Sequence, residues 1–267
     1  MWTKGLARTA SAVVLLGFAV FFVLPMVWLL LASTKSPSDL VDAHPLSAGA
    51  ELFTNWRHLM SFQDGVVLTW MGNSVLYALL SVVLTLLVSV PAGYALALMD
   101  FVGRKLLLVV TLVVMLLPAT ALVLPMSFFP FGVYLTYIYF STSVSGDLLD
   151  AARLDGCGEV ATFTRVAVPL AKPVVALVAF FSFVNNWNNF FLPYVMLPSS
   201  GKYPMQVGLT QMLSATPTFN PVVGANAEVQ PPELVLATLV SIAPVLLVFL
   251  FSQRFLIAGL TAGGTKG

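Results

Sequence analysis

Six stretches of this chain run without a single Asp, Glu, Lys or Arg: roughly 9–33, 67–99, 106–125, 128–144, 173–197 and 234–252. Each has about the length a helix needs to cross a bilayer, and none alternates polar and apolar residues as a half-buried strand would. The pattern predicts six membrane-spanning helices within a single domain covering residues 1–267. The second stretch carries an interfacial lead-in before a core at about 73–98. The first follows Lys4 and Arg8, as a secretory signal would, but its apolar run is too long for a signal core and reads as a retained anchor. The third and fourth stretches nearly touch, so their turn would fall within Leu124-Pro125-Met126-Ser127. Pro125 and Pro130 permit a break there. Either the hairpin is compressed, or connecting residues are absent from the sequence.

Lys and Arg in the connecting segments orient the bundle, because they favour the cytoplasmic side. With the N-terminus inside, nine of the twelve (Lys4, Arg8, Arg104, Lys105, Arg153, Arg165, Lys172, Arg254 and Lys266) lie inside. Only Lys35, Arg57 and Lys202 lie outside. Both termini are then cytoplasmic, and the Pro-, Ser-, Asn- and Gly-rich segments 34–65 and 198–233 face the other side.

Composition narrows the function classes. Hydrophobic residues make up 59% of the chain and charged ones 9%, more apolar surface than one soluble core of this length hides, so lipid is the expected solvent. A net charge of +1 without a basic run leaves no footprint for nucleic acid. Cys157 is the one cysteine and His44 and His58 the only histidines, which excludes a Cys/His zinc site and an internal disulfide. No Gly-x-x-x-x-Gly-Lys-Ser/Thr loop is present, so ATP has no site on this chain. The spans hold no acidic residue of the kind ion-coupled carriers use, and no nucleophile–base pair that would suggest a membrane enzyme. An ion-coupled secondary transporter and a membrane scaffold or sensor associated with an ATPase are the alternatives to a transport subunit driven from outside.

Against this apolar background, residues 145–170 form a polar island. Ser145 can cap a short helix with Asp147 in its first turn, and Gly156 is placed to end that helix in the left-handed conformation. A second, amphipathic helix is predicted from Glu159 to about Val166, with Val160, Phe163 and Val166 at helical spacing and Pro169 as its stop. An ordinary solvated loop remains the competing reading of the same residues.

The run Asp150-Ala151-Ala152-x-x-Asp155-Gly156, followed by Phe163, Val168-Pro169-Leu170 and Pro173, resembles the cytoplasmic "EAA" signature of the permeases of ABC importers, in their carbohydrate branch. Asn73-Ser74, Tyr94-Ala95-Leu96-Ala97 before Gly103-Arg104-Lys105, Trp187-Asn188 and the ending Gly259-Leu260-Thr261-Ala262-Gly263 extend the resemblance to maltose-type permeases over most of the chain from Asn73 onward. Asp150 stands where the family usually has Glu, Cys157 where a small Ala is frequent, and the connection between the third and fourth spans is shorter than usual for the branch.

The resemblance implies an all-α membrane protein of six transmembrane helices with a cytoplasmic coupling helix, the type I importer permease fold. It implies no cofactor on this chain and no enzyme activity of its own, with ATP and Mg held by partner subunits. The implied partners are two ATP-binding subunits, a second permease subunit and an extracytoplasmic solute-binding protein, in the lipid bilayer of a bacterial-type cell membrane. Asp150, Ala151, Ala152, Arg153, Asp155, Gly156 and Phe163 would form the ATPase-coupling surface. Asp155 could bond freed amides at the turn, and Phe163 could anchor the helix against the membrane domain or the partner. Thr265-Lys266-Gly267 would also approach the ATPase pair. Cargo would be a carbohydrate or a related polyol or sugar phosphate.

The fifth stretch holds the most polar patch of any span, 185–191. Counted from Pro173, Trp187 lies about 21 Å along the helix, past the bilayer midplane. Asn185, Asn188 and Asn189 are expected on one face, at i, i+3 and i+4. With Trp187 they are candidate substrate-path residues, since amides exchange hydrogen bonds with sugar hydroxyls and rings cover a sugar's apolar face. The alternative is polar glue between helices. Asn55-Trp56 and the segment from Lys202 to Pro232 are candidate contacts for a solute-binding protein.

Overall fold

A computed structural model describes residues 2–116 and 129–262 of the chain. Every regular element among them is helical. Among the described residues three stretches are long and apolar enough to cross a membrane, Arg8–Ala32, Leu52–Leu98 and Pro231–Phe255, and Glu159–Leu170 with Lys172–Trp187 meet the same measure as a bent pair. The predicted turn at 124–127, with the adjoining ends of the third and fourth spans, lies outside the described residues, as does the tail at 265–267.

The chain divides into two compact units. The first comprises Met1–Met71 and Val207–Ala243. It opens with α1 (Trp2–Ala32), whose exit is held by local side chains. Ser33 and Thr34 return their hydroxyls to the carbonyls of Leu30 and Leu31, and Asn55 donates to the carbonyls of Ser33 and Lys35 at 2.9 Å each. Lys35 is buried, its Nζ donating to the His44 carbonyl at 2.8 Å, so its charge is satisfied without a carboxylate. Ser36 caps α2 (Pro37–Asp42), with Pro37 at its first position.

α3 (Leu52–Ser61) follows, then three residues at positive φ, Gln63, Asp64 and Gly65, that break the helix axis before α4 (Val66–Leu98). Trp70 is fully buried, edge-on to Phe62, and a Cβ on Gly208 would run into its ring. Glu233 caps its own helix by accepting from the Gln230 amide at 2.9 Å, and its other oxygen meets His58 Nδ1 at 3.0 Å.

The second unit comprises Gly72–Gln206 and Pro244–Gly267. It contains most of α4, then α5 (Arg104–Leu116), α6 (Pro130–Ser143), α7 (Gly146–Leu154), α8 (Glu159–Thr162), a π-helical turn (Phe163–Ala167), α9 (Val168–Leu170), α10 (Lys172–Trp187) and α11 (Phe191–Met196). α12 (Met205–Ser214) and α13 (Pro231–Ala262) each run across the boundary between the units.

Apolar packing gives little attraction between helices in lipid, so close approach and hydrogen bonds must hold them. A seam of buried hydroxyls does this. Ser182 donates to Thr85 at 3.0 Å, and Thr136 donates to the Ser89 carbonyl at 2.9 Å. Beside it Gly93 lies so close to Thr136 that any Cβ would overlap that side chain. Gly93→Val is therefore expected to cost about 1–3 kcal/mol by overpacking, read as a lower thermal midpoint of the purified protein in detergent.

Two of the predicted elements differ in the structure. The fifth span is not one helix over 173–197: α10 ends at Trp187, and α11 begins again at Phe191. Asn188 and Asn189 lie in the break, because Asn side chains bond nearby backbone and compete with the helix ladder. Helical structure also continues past Pro169 to Leu170, where a stop is predicted. The π turn explains this: the Val168 amide bonds back five residues to Phe163, and the widened turn accommodates a proline that has no amide to donate. The chain then bends by 79° into α10.

Candidate functional site

The polar island folds as two short helices around a tight turn. Ser145 accepts from the Asp147 amide at 3.3 Å to start α7, with Asp147 in the first turn as predicted. At the other end Gly156 takes φ +88°, and the Gly156 and Cys157 amides return to the carbonyls of Arg153 and Ala152 at 3.0 Å each. This left-handed closure satisfies the last carbonyls of α7 and sends the chain directly into α8.

Arg153 joins the two helices. Its guanidinium donates to Asp150 on its own helix at 2.8 Å and makes a two-point contact with Glu159 at 2.9 and 3.2 Å. These bonds, Glu159 first and Asp150 second, raise its pKa further above the ordinary arginine value, so it remains a cation at any working pH. The i, i+3 pairing with Asp150 is legible in the sequence. Glu159 carries no signal of its own until the turn brings it back.

Burial sorts the remaining residues. Leu149 and Ala152 face inward, Ala152 with 9% exposure, so Ala152 is not part of a free surface. Phe163 also turns inward: its ring centroid is 5.0 Å from Tyr94, which in turn packs edge-on to Phe140 at 5.4 Å. It anchors the pair of helices on its own unit. Asp155 is exposed and its side chain bonds no amide among the described residues, contrary to the expected role at the turn. The outward surface instead holds Asp150, Ala151, Asp155 and three apolar side chains: Leu148 (51% exposed) and Leu154 (89%), which the sequence does not single out, and Val160 (77%), which points away from Phe163 although helical spacing groups the two. Leu148, Ala151 and Leu154 recur at three-residue spacing and so share one strip of α7. A rigid, internally stapled pair of helices thus presents an apolar strip bordered by carboxylates.

The asparagine cluster is arranged differently from the expected single face. Asn185, on the last turn of α10, and Asn188, just past its end, are exposed, with Asn188 donating to the Val184 carbonyl at 3.0 Å. Asn189 leaves that face and accepts from the Leu192 amide at 3.3 Å, capping α11. Trp187 is buried and stacked on Phe183. Asn186, inside the polar patch but not among the candidate substrate-path residues, donates to the Ser182 carbonyl, while its buried Oδ1 has no partner among the described residues.

Other motif residues hold the backbone in place. Asn73 bonds the carbonyls of Gly201 and Tyr203 at 3.0 Å each, and Ser74 accepts from the Met205 amide at 2.7 Å. Arg104 closes α4 by donating to the carbonyls of Leu96 and Ala97 and to Asp100. Asn55, expected as an outer contact, lies on the buried face of α3, and of that pair Trp56 alone is exposed. Among the described residues no cluster of His, Cys, Asp and Glu could hold a metal ion.

Residues 65–261 match the family described as binding-protein-dependent transport system inner membrane component. The arabinooligosaccharides transport system permease protein AraQ of Bacillus subtilis is 31% identical over 283 residues, covering 97% of this chain and 96% of that protein. The sulfoquinovosyl glycerol transport system permease protein SmoH of Agrobacterium fabrum is 32% identical, covering 97% and 93%. The diacetylchitobiose uptake system permease protein NgcG of Streptomyces coelicolor is 28% identical, covering 96% and 87%. In structure, a chain of a bacterial ABC transporter that imports the acidic polysaccharide alginate superposes with a TM-score of 0.80 at 24% identity, over 94% of this chain and 97% of that one.

Proposed function

We propose, from the premise that the chain belongs to the family of binding-protein-dependent transport system inner membrane components, that it forms part of the path by which an ATP-driven importer carries a carbohydrate, or a related polyol or sugar phosphate, into the cell. Its place is one permease domain of six crossings with both termini cytoplasmic, paired with a second permease and served by two ATP-binding subunits and a solute-binding protein. ATP and Mg are held by the ATP-binding subunits. The carbohydrate assignment rests on relatives named for arabinooligosaccharides, sulfoquinovosyl glycerol and diacetylchitobiose.

The observation that carries the reading is the two-helix surface of α7 and α8. A coupling element must transmit force, so it must be stiff within itself and present a defined face. Arg153 bridging Asp150 and Glu159 stiffens the pair, and the strip of Leu148, Ala151 and Leu154 supplies apolar area for a cleft on an ATP-binding subunit. The carboxylates at its edge set register and orientation more than affinity. Closure of the ATP-binding pair would then move the α7–α9 segment and rock the bundle through the bend at Ala171 between inward and outward openings. The tail at 265–267 adds a second contact with the same subunits in this scheme.

The experiment is reconstitution. In liposomes, the full complex should accumulate labelled cargo with ATP and binding protein, and the chain alone should accumulate none on an ion gradient. Uptake by the chain alone would assign it to ion-coupled carriers. ATP hydrolysis by the complex that is indifferent to cargo would assign it to scaffolding. Asn185 and Asn188 are the exposed amides we assign to the substrate path. Asn188→Ala should lower the uptake rate several-fold, the scale of one lost hydrogen bond of about 1 kcal/mol, with the complex still assembling by size-exclusion chromatography.

A further inference from the structure

α3 carries more information than its place in a loop suggests. At 100° per residue its ten residues fall into three sectors around the axis. The first holds Asn55 and Leu59, both buried against their own unit. The second, directly beside it, holds Leu52, Trp56 and Phe53, which are 46%, 42% and 69% exposed, with the half-buried Met60 between the last two. The third is polar and holds Thr54, His58 and Ser61, with Arg57 at the border, its guanidinium carbon 5.0 Å from the centre of the Phe53 ring. A connector in open water has no use for the second sector. A helix resting on protein with one side and on lipid with the next has this order of faces.

The position along the chain supplies the lipid. α1 ends at Ala32, and the segment that follows is bound back to that end by Asn55 itself. At its other end α3 meets the Phe62–Gly65 turn and then α4. The helix is therefore tied at one end to the Arg8–Ala32 span, on the side where α1 leaves the membrane, and at the other leads into α4, with which it forms the apolar stretch Leu52–Leu98. The three positive φ angles at Gln63, Asp64 and Gly65 keep it from extending α4 along the same axis. Near that exit α1 likewise exposes apolar side chains, Val27, Trp28 and Leu30.

We propose that α3 lies in the headgroup layer of the bilayer, with Leu52, Phe53 and Trp56 reaching the acyl boundary and Arg57 at the lipid phosphates. Trp is favoured at that depth, and an arginine stacked on a phenylalanine keeps its charge at the boundary while its stem covers apolar surface. The helix acts as a collar that fixes the depth and rotation of the entry to α4. This rests on the membrane location of the chain and not on what it transports, so loss of the import assignment leaves it standing.

The test uses the assembled complex in nanodiscs, with Cys157→Ala as background and a nitroxide on a single cysteine placed in turn at Phe53, Trp56, Thr54 and Ser61. Collision with oxygen relative to a water-soluble nickel chelate should be several-fold greater at Phe53 and Trp56 than at Thr54 and Ser61. Equal ratios at all four sites overturn the proposal. So does protection of Phe53 and Trp56 that appears only when the solute-binding protein is added, which gives the stripe to a protein. A second readout needs no label: lipids brominated high on the acyl chain should remove most of the fluorescence difference between the native protein and Trp56→Phe. An unchanged difference contradicts lipid contact.

Discussion

Leu154→Glu is expected to abolish ATP-driven uptake while leaving the chain folded and in the membrane. Leu154 is the most exposed apolar side chain on α7, at 89%, and touches little of its own unit, so a carboxylate there costs almost nothing in the isolated chain. In a closed interface the same carboxylate is desolvated without a partner and stands beside Asp150 and Asp155. Interface residues of this kind cost about 3 kcal/mol or more when charged without a partner, on the order of a hundredfold in the association constant. The measurement pairs uptake with the amount of ATP-binding subunit retained on the purified permease. Both should fall together, with unchanged thermal stability of the permease alone.

Gly156→Val should have an effect of similar size by a different route. No heavy atom lies within 4 Å of a Cβ built on Gly156, so crowding is not at issue. The cost is the φ of +88°, which a β-branched residue reaches only with strain of about 1–2 kcal/mol or more. A valine would pull the turn out of the left-handed region. The Cys157–Ala152 hydrogen bond and the two-point contact between Arg153 and Glu159 would go with it. The helices would still form singly but would no longer move as one body. Uptake should drop at least about tenfold, and Gly156→Asn, which tolerates this conformation better, should recover much of it. Equal loss in both variants would mean that the position matters for contact and not for backbone geometry.

Those two residues also mark how much the sequence discloses. The cap at Ser145 and the terminator at Gly156 are local: each depends on residues within a turn of itself, so the linear order suffices. The division of α7 into inner and outer faces does not follow from spacing, because the period shows which residues share a strip but not which strip the rest of the fold covers. Ala152 and Ala151 are neighbours of identical chemistry, and one is buried while the other is exposed. Phe163 faces Tyr94, nearly seventy positions away in the chain, and Glu159 finds Arg153 only after the turn has folded.

In α10 the opposite failure occurs. The apolar run continues to Leu197, and hydropathy alone extends the helix through it, whereas the side-chain amides of Asn188 and Asn189 capture local backbone and end it. Pro169 misleads for a related reason: its missing amide is accommodated by one π turn, which keeps the helix going and leaves the bend to Ala171. The all-helical, lipid-embedded architecture is legible because composition and charge-free length govern it. The positions of individual side chains depend on packing partners far away in the sequence.

The most direct test of the coupling surface is a crosslink. In the reconstituted complex on a Cys157→Ala background, cysteine at Leu154 should join an ATP-binding subunit through a short bifunctional thiol reagent, with a yield that changes between ATP-bound and nucleotide-free states. Cysteine at the equally exposed Val41 on α2 should join none. The account is contradicted if Leu154→Cys gives no such product in either nucleotide state while the complex still imports, or if a membrane-impermeant thiol reagent added outside intact cells labels it.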